Sequence, residues 1–512
     1  MRPYSSQDIP SIYSQTLDFA SQHANERHWQ ETLDDVEAAA VWAYHFSWIY
    51  TDPRAEQMIR LVADATLKKV EVTDKYDDRV VMIDSFCWDN HGLTQQYLRA
   101  MMQNAMTILY ICTSNTIDQG SDILHELGHY AKAEVLSFTD VKFNQIEKSE
   151  RMCETISRFA PAHLFLHISP WDSTPLLTCH ALSGVNKYNI NITDHAYWLG
   201  ASFVDYNIEF RPYGETVSIE KRGFQEQQLL VLPFYPIMPV TDDFKGFPEF
   251  PSDAVTVFTG GALYKMLGRQ NIFFRLMDAI LAIAPNVYIL VAGFDPDKRF
   301  DQGLNSMRHK ERVFQLGPRS DINAVFENTD IFLGTYPTSG GLMNQFAARH
   351  GKPIIAYCEE GDAEGRIEEL LNHQDAMFQS FSVMDDLMDY AKRLILDKDY
   401  RIHEGDRLKR GLMTEERFAQ EFCQLVSTRK SDRPLTYDEI NYETFFHRYL
   451  DLENQSGFPA TKQLVMALKM DVLKSKVCRI NLLEMLGRCT LEKLHRSIAI
   501  KTSMNVTFTS KS

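Results

Sequence analysis

IFLGTYPTSGGLMNQFAARHGKPIIAY, residues 331–357, reads as strand, glycine turn, helix and strand. Ile331–Gly334 is a short apolar run of the kind that ends a buried parallel strand. Pro337, Thr338, Ser339, Gly340 and Gly341 break it. Leu342–Arg349 has helical spacing, and Gly351–Pro353 stops that helix just before a second apolar run, Ile354–Tyr357. A glycine pair lets backbone N–H groups at a helix start approach a ligand closely. The helix dipole adds partial positive charge there, so the place suits a phosphate.

The stretch before it repeats the pattern. Val255–Thr259 is β-branched and is followed by GGALYKMLG, in which Gly260 and Gly261 form a turn and Lys265 lies just beyond. Ile272–Ile283 has helical spacing. Asn286–Ala292 and Val313–Leu316 read as strands, with a helix over Asp321–Asn328 leading back to Ile331. This alternation implies a parallel sheet with crossover helices. Ligands in such sheets sit at the carboxyl ends of the strands. Lys265 and the Gly340–Gly341 turn both fall at such ends, and together they suit a diphosphate.

The chain has 512 residues, enough for two to three domains, and 44% of them are hydrophobic. A net charge of −16 argues against nucleic acid, whose binding needs a basic footprint. Eight cysteines include no CxxC pair and read as thiols in a reducing cytosol. MRPYSSQDIPSIY has no signal-type apolar core, and no apolar run is long enough to span a bilayer, so a cytoplasmic location is expected.

Residues 1–75 read as a helical N-terminal extension, with Pro53 between two amphipathic segments. Residues 76–240 read as a first doubly wound domain. Its strands are placed at Val80–Asp84, Ala105–Cys112, Ala162–Ser169, Tyr188–Thr193, Val204–Phe210 and Leu229–Leu232. Its helices begin near Leu93, cover Ser121–Ala133 with Ser121 as cap, and run from Asp172 to about Leu182. Residues 241–400 form the second domain, after a break near Pro239–Pro251, and 401–512 a helical C-terminal region. The fold class is α/β, two facing Rossmann-like domains with helical extensions.

Six pieces, in order, resemble the GT-B glycosyltransferases, in particular the catalytic region of the O-GlcNAc-transferase type and bacterial polysaccharide glycosyltransferases. DSFCWDNHGL resembles that group's first strand and its histidine-bearing loop, here His91. HAYWLGASFVDYNIEF resembles its WLG…DY segment, and VLPFYP its LP…Y.P segment. FTGGALYK resembles its phosphate-binding stretch with Lys265. TYPTSGG…GKPII resembles PYNGG…G.PVV, and GDAEGRIEELL resembles its G…SR…SLL segment, here with Arg366. The resemblance covers about residues 78–375. The repeats that precede the catalytic region in eukaryotic members are missing. Leu342, Met343 and Asn344 replace threonines, Phe346 replaces an aspartate, and the paired glutamates of many retaining members are absent.

The resemblance implies transfer of a sugar from a nucleotide-sugar donor, UDP-linked, to a saccharide, lipid-linked or protein acceptor, with inversion. It implies donor contacts at Gly260, Gly261, Lys265, Tyr336, Ser339, Gly340, Gly341, Leu342, Met343 and Arg366. A lysine and a helix dipole can stabilise the departing diphosphate, so no metal and no other cofactor are expected, and no DxD metal motif is read in a crevice loop. His91 is the first candidate for the base that takes the acceptor proton, and Asp194 with His195 the second. Trp198 reads as core. A nucleotide-sugar epimerase and a non-catalytic sugar-nucleotide-binding protein remain as alternatives.

Two features point elsewhere. His125-Glu126-Leu127-Gly128-His129 matches the HExxH zinc-hydrolase pattern, but lies on what reads as a crossover helix and is taken as a chance match. From Lys462 to Lys501 nine Lys/Arg face three acidic residues, among leucines at near-helical spacing. That tail is a candidate for peripheral contact with an anionic membrane face.

Overall fold

The computed structural model describes residues 3–89, 93–113, 120–138, 142–239, 242–374, 378–455 and 459–468. Two parallel sheets carry it. The strands are β1 (Val70–Glu71), β2 (Tyr76–Asp84), β3 (Thr107–Cys112), β4 (Ala133–Ser137), β5 (Pro161–His167), β6 (Leu182–Ser183), β7 (Asn186–Ile190), β8 (Tyr206–Glu209), β9 (Leu229–Val231), β10 (Val255–Gly260), β11 (Val287–Ala292), β12 (Val313–Gly317), β13 (Ile331–Leu333) and β14 (Ile354–Ile355). The N-terminal sheet runs β4-β3-β2-β5-β7-β8-β9, the C-terminal sheet β12-β11-β10-β13-β14, and β1 pairs separately with β6.

Both large sheets begin in the middle and grow outward in two directions. Each therefore has a switch point, between β2 and β5 in one and between β10 and β13 in the other, where the connecting loops diverge and open a crevice. β5 and β10 are buried at every position, as strands covered on both faces must be. The two Rossmann-like domains expected from the alternation are thus present.

Local sequence explains most boundaries. Asp52 caps the helix Pro53–Thr66 through the Arg54 N–H, with Pro53 in the first turn. The helix Ile272–Ile283 ends where its apolar period ends. The helix expected over 121–133 stops at His129, because the chain turns into β4, an edge strand the sequence reading did not separate. Its N-terminus is held by Asp89, which accepts from the Asp122 and Ile123 N–H groups at 2.8 and 2.9 Å; Ser121 instead donates to Asp89.

The helices after residue 383 do not form one region. Met384–Leu396 packs on the C-terminal domain beside Ile272–Ile283. Glu415–Thr428 returns to the N-terminal domain, where Tyr97 meets Phe418 and Phe422 edge-on at 5.2 and 5.7 Å. Such pairs add about 0.5–1.5 kcal/mol each beyond their buried area. Pro459–Ala467 packs on the N-terminal helix Trp29–Tyr44, burying Leu464, Val465 and Leu468. Those three apolar residues, read as part of a membrane-facing tail, are core instead. Lys469–Lys501 lies outside the described residues. No helix among the described residues is long and apolar enough to cross a membrane.

Candidate functional site

The carboxyl edges of the two sheets face each other across a crevice of about 790 Å³, a size usual for small-ligand sites. Of the residues singled out in the sequence, Asp194, His195, Lys265, Ser339, Gly341 and Arg366 line it.

On the C-terminal side, Lys265 follows β10 and the helix Gly341–Arg349 follows β13. Gly261, at φ +152°, turns the chain between β10 and the lysine. No side chain caps the helix, whose N-cap is Gly340. A Cβ built on Gly340 would stand 4.0 Å from Lys265 Nζ, so the ammonium lies beside the helix N-terminus. Asn344 donates to Ser339 Oγ and to the Gly340 carbonyl, and Thr335 donates to the Thr338 carbonyl, which braces the turn. Among the described residues the Lys265 ammonium has no hydrogen-bond or ion-pair partner. Burial lowers its pKa, against the pull of Glu364. A half-buried lysine without a partner, beside free helix N–H groups, is built to meet an anion.

Other residues expected there are placed differently. Tyr336 is buried, and its hydroxyl donates to Glu359 away from the crevice. Gly260 ends β10 under Phe258 and Met343, so neither Gly260 nor the Met343 side chain is a wall of the crevice. Leu342 is 37% exposed and also off the wall. What Leu342 and Met343 can offer is backbone N–H in the first helical turn. Arg366 lines the crevice but pairs with Asp438 at 2.7 Å.

On the N-terminal side, the turn after β7 carries Asp194 and His195. Arg222 clamps that turn by donating to the carbonyls of Thr193, Asp194 and Ala196. Ser47 donates to the His195 carbonyl at 3.0 Å. Asp194 Oδ1 stands 3.4 Å from His195 Nδ1, with the His195 side chain 31% exposed and Asp194 buried. Arg211, following β8, grips both oxygens of Asp194 at 2.5 and 3.1 Å. Burial raises the Asp194 pKa, but Arg211 and His195 outweigh it and hold the carboxyl well below the usual range. Asp194 is therefore an orienting anion and not itself a base, whereas His195 presents an imidazole to the crevice. His91 lies outside the described residues. Trp198 is buried in the core.

The sequence reading missed the rest of the wall. Tyr44 and His45 come from the N-terminal helices, and Arg448 and Tyr449 from the helix Tyr442–Gln455. Arg448 pairs with Asp362 at 2.7 Å and Glu364 at 3.3 Å, and Tyr449 donates to Glu364 at 2.9 Å. No local pattern reveals these contacts, which join positions more than 80 residues apart. One DxD sequence, Asp295-Pro296-Asp297, does follow β11. Asp297 caps the helix Lys298–Leu304 and is held by the Arg299 guanidinium. The HExxH glutamate is engaged too: Glu126 takes two hydrogen bonds from Arg99, at 2.9 and 2.6 Å, and one from Gln95.

No protein-family model matches the chain, and no curated protein matches it. Solved structures of similar shape include a mutant O-GlcNAc transferase of Thermobaculum terrenum, 16% identical over 86% of this chain and 85% of that one, TM-score 0.49. A glycosyltransferase from Rickettsia africae is 12% identical over 69% and 98%, TM-score 0.48. Anabaena HepE in complex with UDP and glucose is 13% identical over 68% and 99%, TM-score 0.47. The fold stands on the two sheets themselves, two doubly wound parallel sheets as the alternation in the sequence implied. What the chain does is read from its crevice.

Proposed function

We propose that this protein is a glycosyltransferase that moves a sugar from a nucleotide-diphosphate donor, UDP-linked, to an acceptor hydroxyl on a saccharide, a lipid-linked saccharide or a protein. The observation that carries this reading is Lys265, without a partner among the described residues, beside the uncapped start of Gly341–Arg349. Negative charge grows on the diphosphate as the glycosidic bond breaks, and a fixed cation with aligned N–H groups stabilises it as it forms. Across the crevice, His195 accepts the proton of the attacking hydroxyl while Asp194 stabilises the imidazolium. An imidazole held by a carboxylate and facing the leaving-group site supports inversion, and a lysine at that site supports a reaction without metal.

UDP-N-acetylglucosamine 2-epimerases are also among the similar structures. Epimerisation needs acid and base groups around the sugar. Here the crevice carboxylates Asp194, Glu364 and Glu453 are held by Arg211, by Arg448 with Tyr449, and by the Ala460 and Thr461 N–H groups, which favours transfer. Incubation with a panel of nucleotide sugars, with and without a mixed saccharide and glycolipid acceptor pool, tests the reading. Acceptor-dependent release of nucleoside diphosphate with a new glycoside supports it. Conversion of the donor sugar without acceptor overturns it.

A further inference from the structure

Among the described residues, Arg211 is the one side chain on the base side that hydrogen-bonds both to Asp194 and to the Glu364 loop. Its Nε and Nη2 hold Asp194, and its Nη1 donates to the Glu364 carbonyl at 3.0 Å, 153 positions away in the C-terminal domain. The loop bearing Glu364 faces Lys265, and Arg448 and Tyr449 pin it from the far side. Next to Arg211, the Tyr213 N–H donates to Glu369 at 3.2 Å.

We propose that Arg211 is a positioning residue that links the Asp194–His195 pair to the donor-side loop, so that a diphosphate bound at Lys265 sets the base for the acceptor. This rests on the transferase reading above. A ligand anion draws on Lys265 and so changes what Glu364 faces. The Glu364 carbonyl then fixes the fork of Arg211, and the fork fixes the carboxylate that orients His195. A planar guanidinium holds these three acceptors in a fixed fork, a geometry that the compact ammonium of a lysine does not reproduce.

Besides His195, the groups facing Asp194 and Arg211 are Arg222, Tyr50 and Tyr213 on the N-terminal side and Glu364 and Glu369 on the other; Glu209 faces Arg222 and Asp194. Replacing Arg211 by Gln removes one cation from this set. Arg211→Gln therefore loses both the charge and the fork. Arg211→Lys keeps the charge and loses the fork.

The test follows the His195 signal by NMR of histidine-labelled full-length protein, assigned with His195→Gln, with and without UDP. Expected are a UDP-dependent change at His195 in the native protein and its loss in Arg211→Lys and Arg211→Gln with UDP still bound. Turnover in Arg211→Lys should fall about 10²-fold through misplacement of the base, with donor KM unchanged. An equal UDP response in native protein and Arg211→Lys overturns the link alone. Failure of the native protein to bind UDP overturns the transferase reading and the link with it. If Arg211→Gln does not fold, Arg211→Lys still decides.

Discussion

Two places in the crevice treat charge in opposite ways. From the turn after β7 across to the Glu364 loop the ion pairs are closed: Arg211 with Asp194, Arg448 with Asp362 and Glu364, Arg366 with Asp438. Just past β10, Lys265 stands beside an open helix end with no partner among the described residues. Ion pairs at partly buried positions organise geometry, and breaking one leaves a charge uncompensated. A partly buried cation left alone is an expense unless a ligand completes it. Under the transferase reading proposed above, the contrast assigns the leaving group to Lys265 and the positioning of the base to Arg211 and Asp194.

The sharpest way to break this comparison is His195→Ala. Loss of a general base lowers turnover by about 10²–10⁴-fold, while donor affinity stays near native because the donor wall is intact. Steady-state kinetics with isothermal titration of UDP separates the two quantities. A fall in donor affinity with turnover retained would move His195 to the donor wall.

Next in size is Lys265→Ala. Removal of one charge-stabilising donor costs about 10²–10³-fold in rate, and the fold should tolerate it, because the lysine has no partner to abandon. Turnover at saturating donor, set against the melting temperature, checks both halves of that statement.

A smaller effect concerns stability against pH. Burial raises Glu215 to about 8, and its one partner among the described residues, the Thr436 N–H at 2.8 Å, does not offset this. The folded protein thus holds a proton that the unfolded chain releases near pH ~4.3. Stability contributed by this group is complete below that pH and declines as pH rises towards 8, with a limiting slope of about 1.4 kcal/mol per pH unit. Glu215→Gln keeps the acceptor for Thr436 and removes the ionisation. Its melting temperature should exceed that of the native protein more at pH 8 than at pH 5. Parallel pH profiles would show that Glu215 is solvated.

The smallest expected effect lies far from either wall. Asn144 and Glu147 form a capping box on the helix Gln145–Phe159. Asn144→Ala should lower stability by about 1 kcal/mol and leave turnover unchanged. Chemical denaturation and the standard assay check it.

Much of the fold was legible because its signals are local. The run from Val255 through Ile283 shows its strand, glycine turn and helix within thirty residues, and the structure places them there. The capping box was legible too, as Asn144-x-x-Glu147, yet the helix it starts was not recognised. β4 was not read, the preceding helix being ended at Ala133, because Ala133–Ser137 is a short, half-exposed edge strand with little apolar contrast. The site was legible only where one residue stands alone. Lys265 and His195 are conspicuous beside turns. The grip of Arg211 on Asp194 and Glu364, and the arrival of Arg448 and Tyr449 from near the end of the described chain, arise from tertiary packing that no window of sequence contains. Tyr336 shows the complementary case: it adjoins the glycine turn in sequence but is buried off the crevice wall, with its hydroxyl on Glu359.

The central claim is that Lys265 and the start of Gly341–Arg349 hold a nucleoside diphosphate. The most direct measurement is the thermal unfolding of the full chain with increasing UDP, for the native protein and Lys265→Ala. Binding to the folded state alone stabilises it by mass action, about 2.7 kcal/mol when ligand is at 100 times Kd. The account predicts a saturable rise in melting temperature for the native protein that is largely lost in Lys265→Ala. A rise of equal size in both proteins, or none in the native protein across a panel of nucleoside diphosphates, would contradict it.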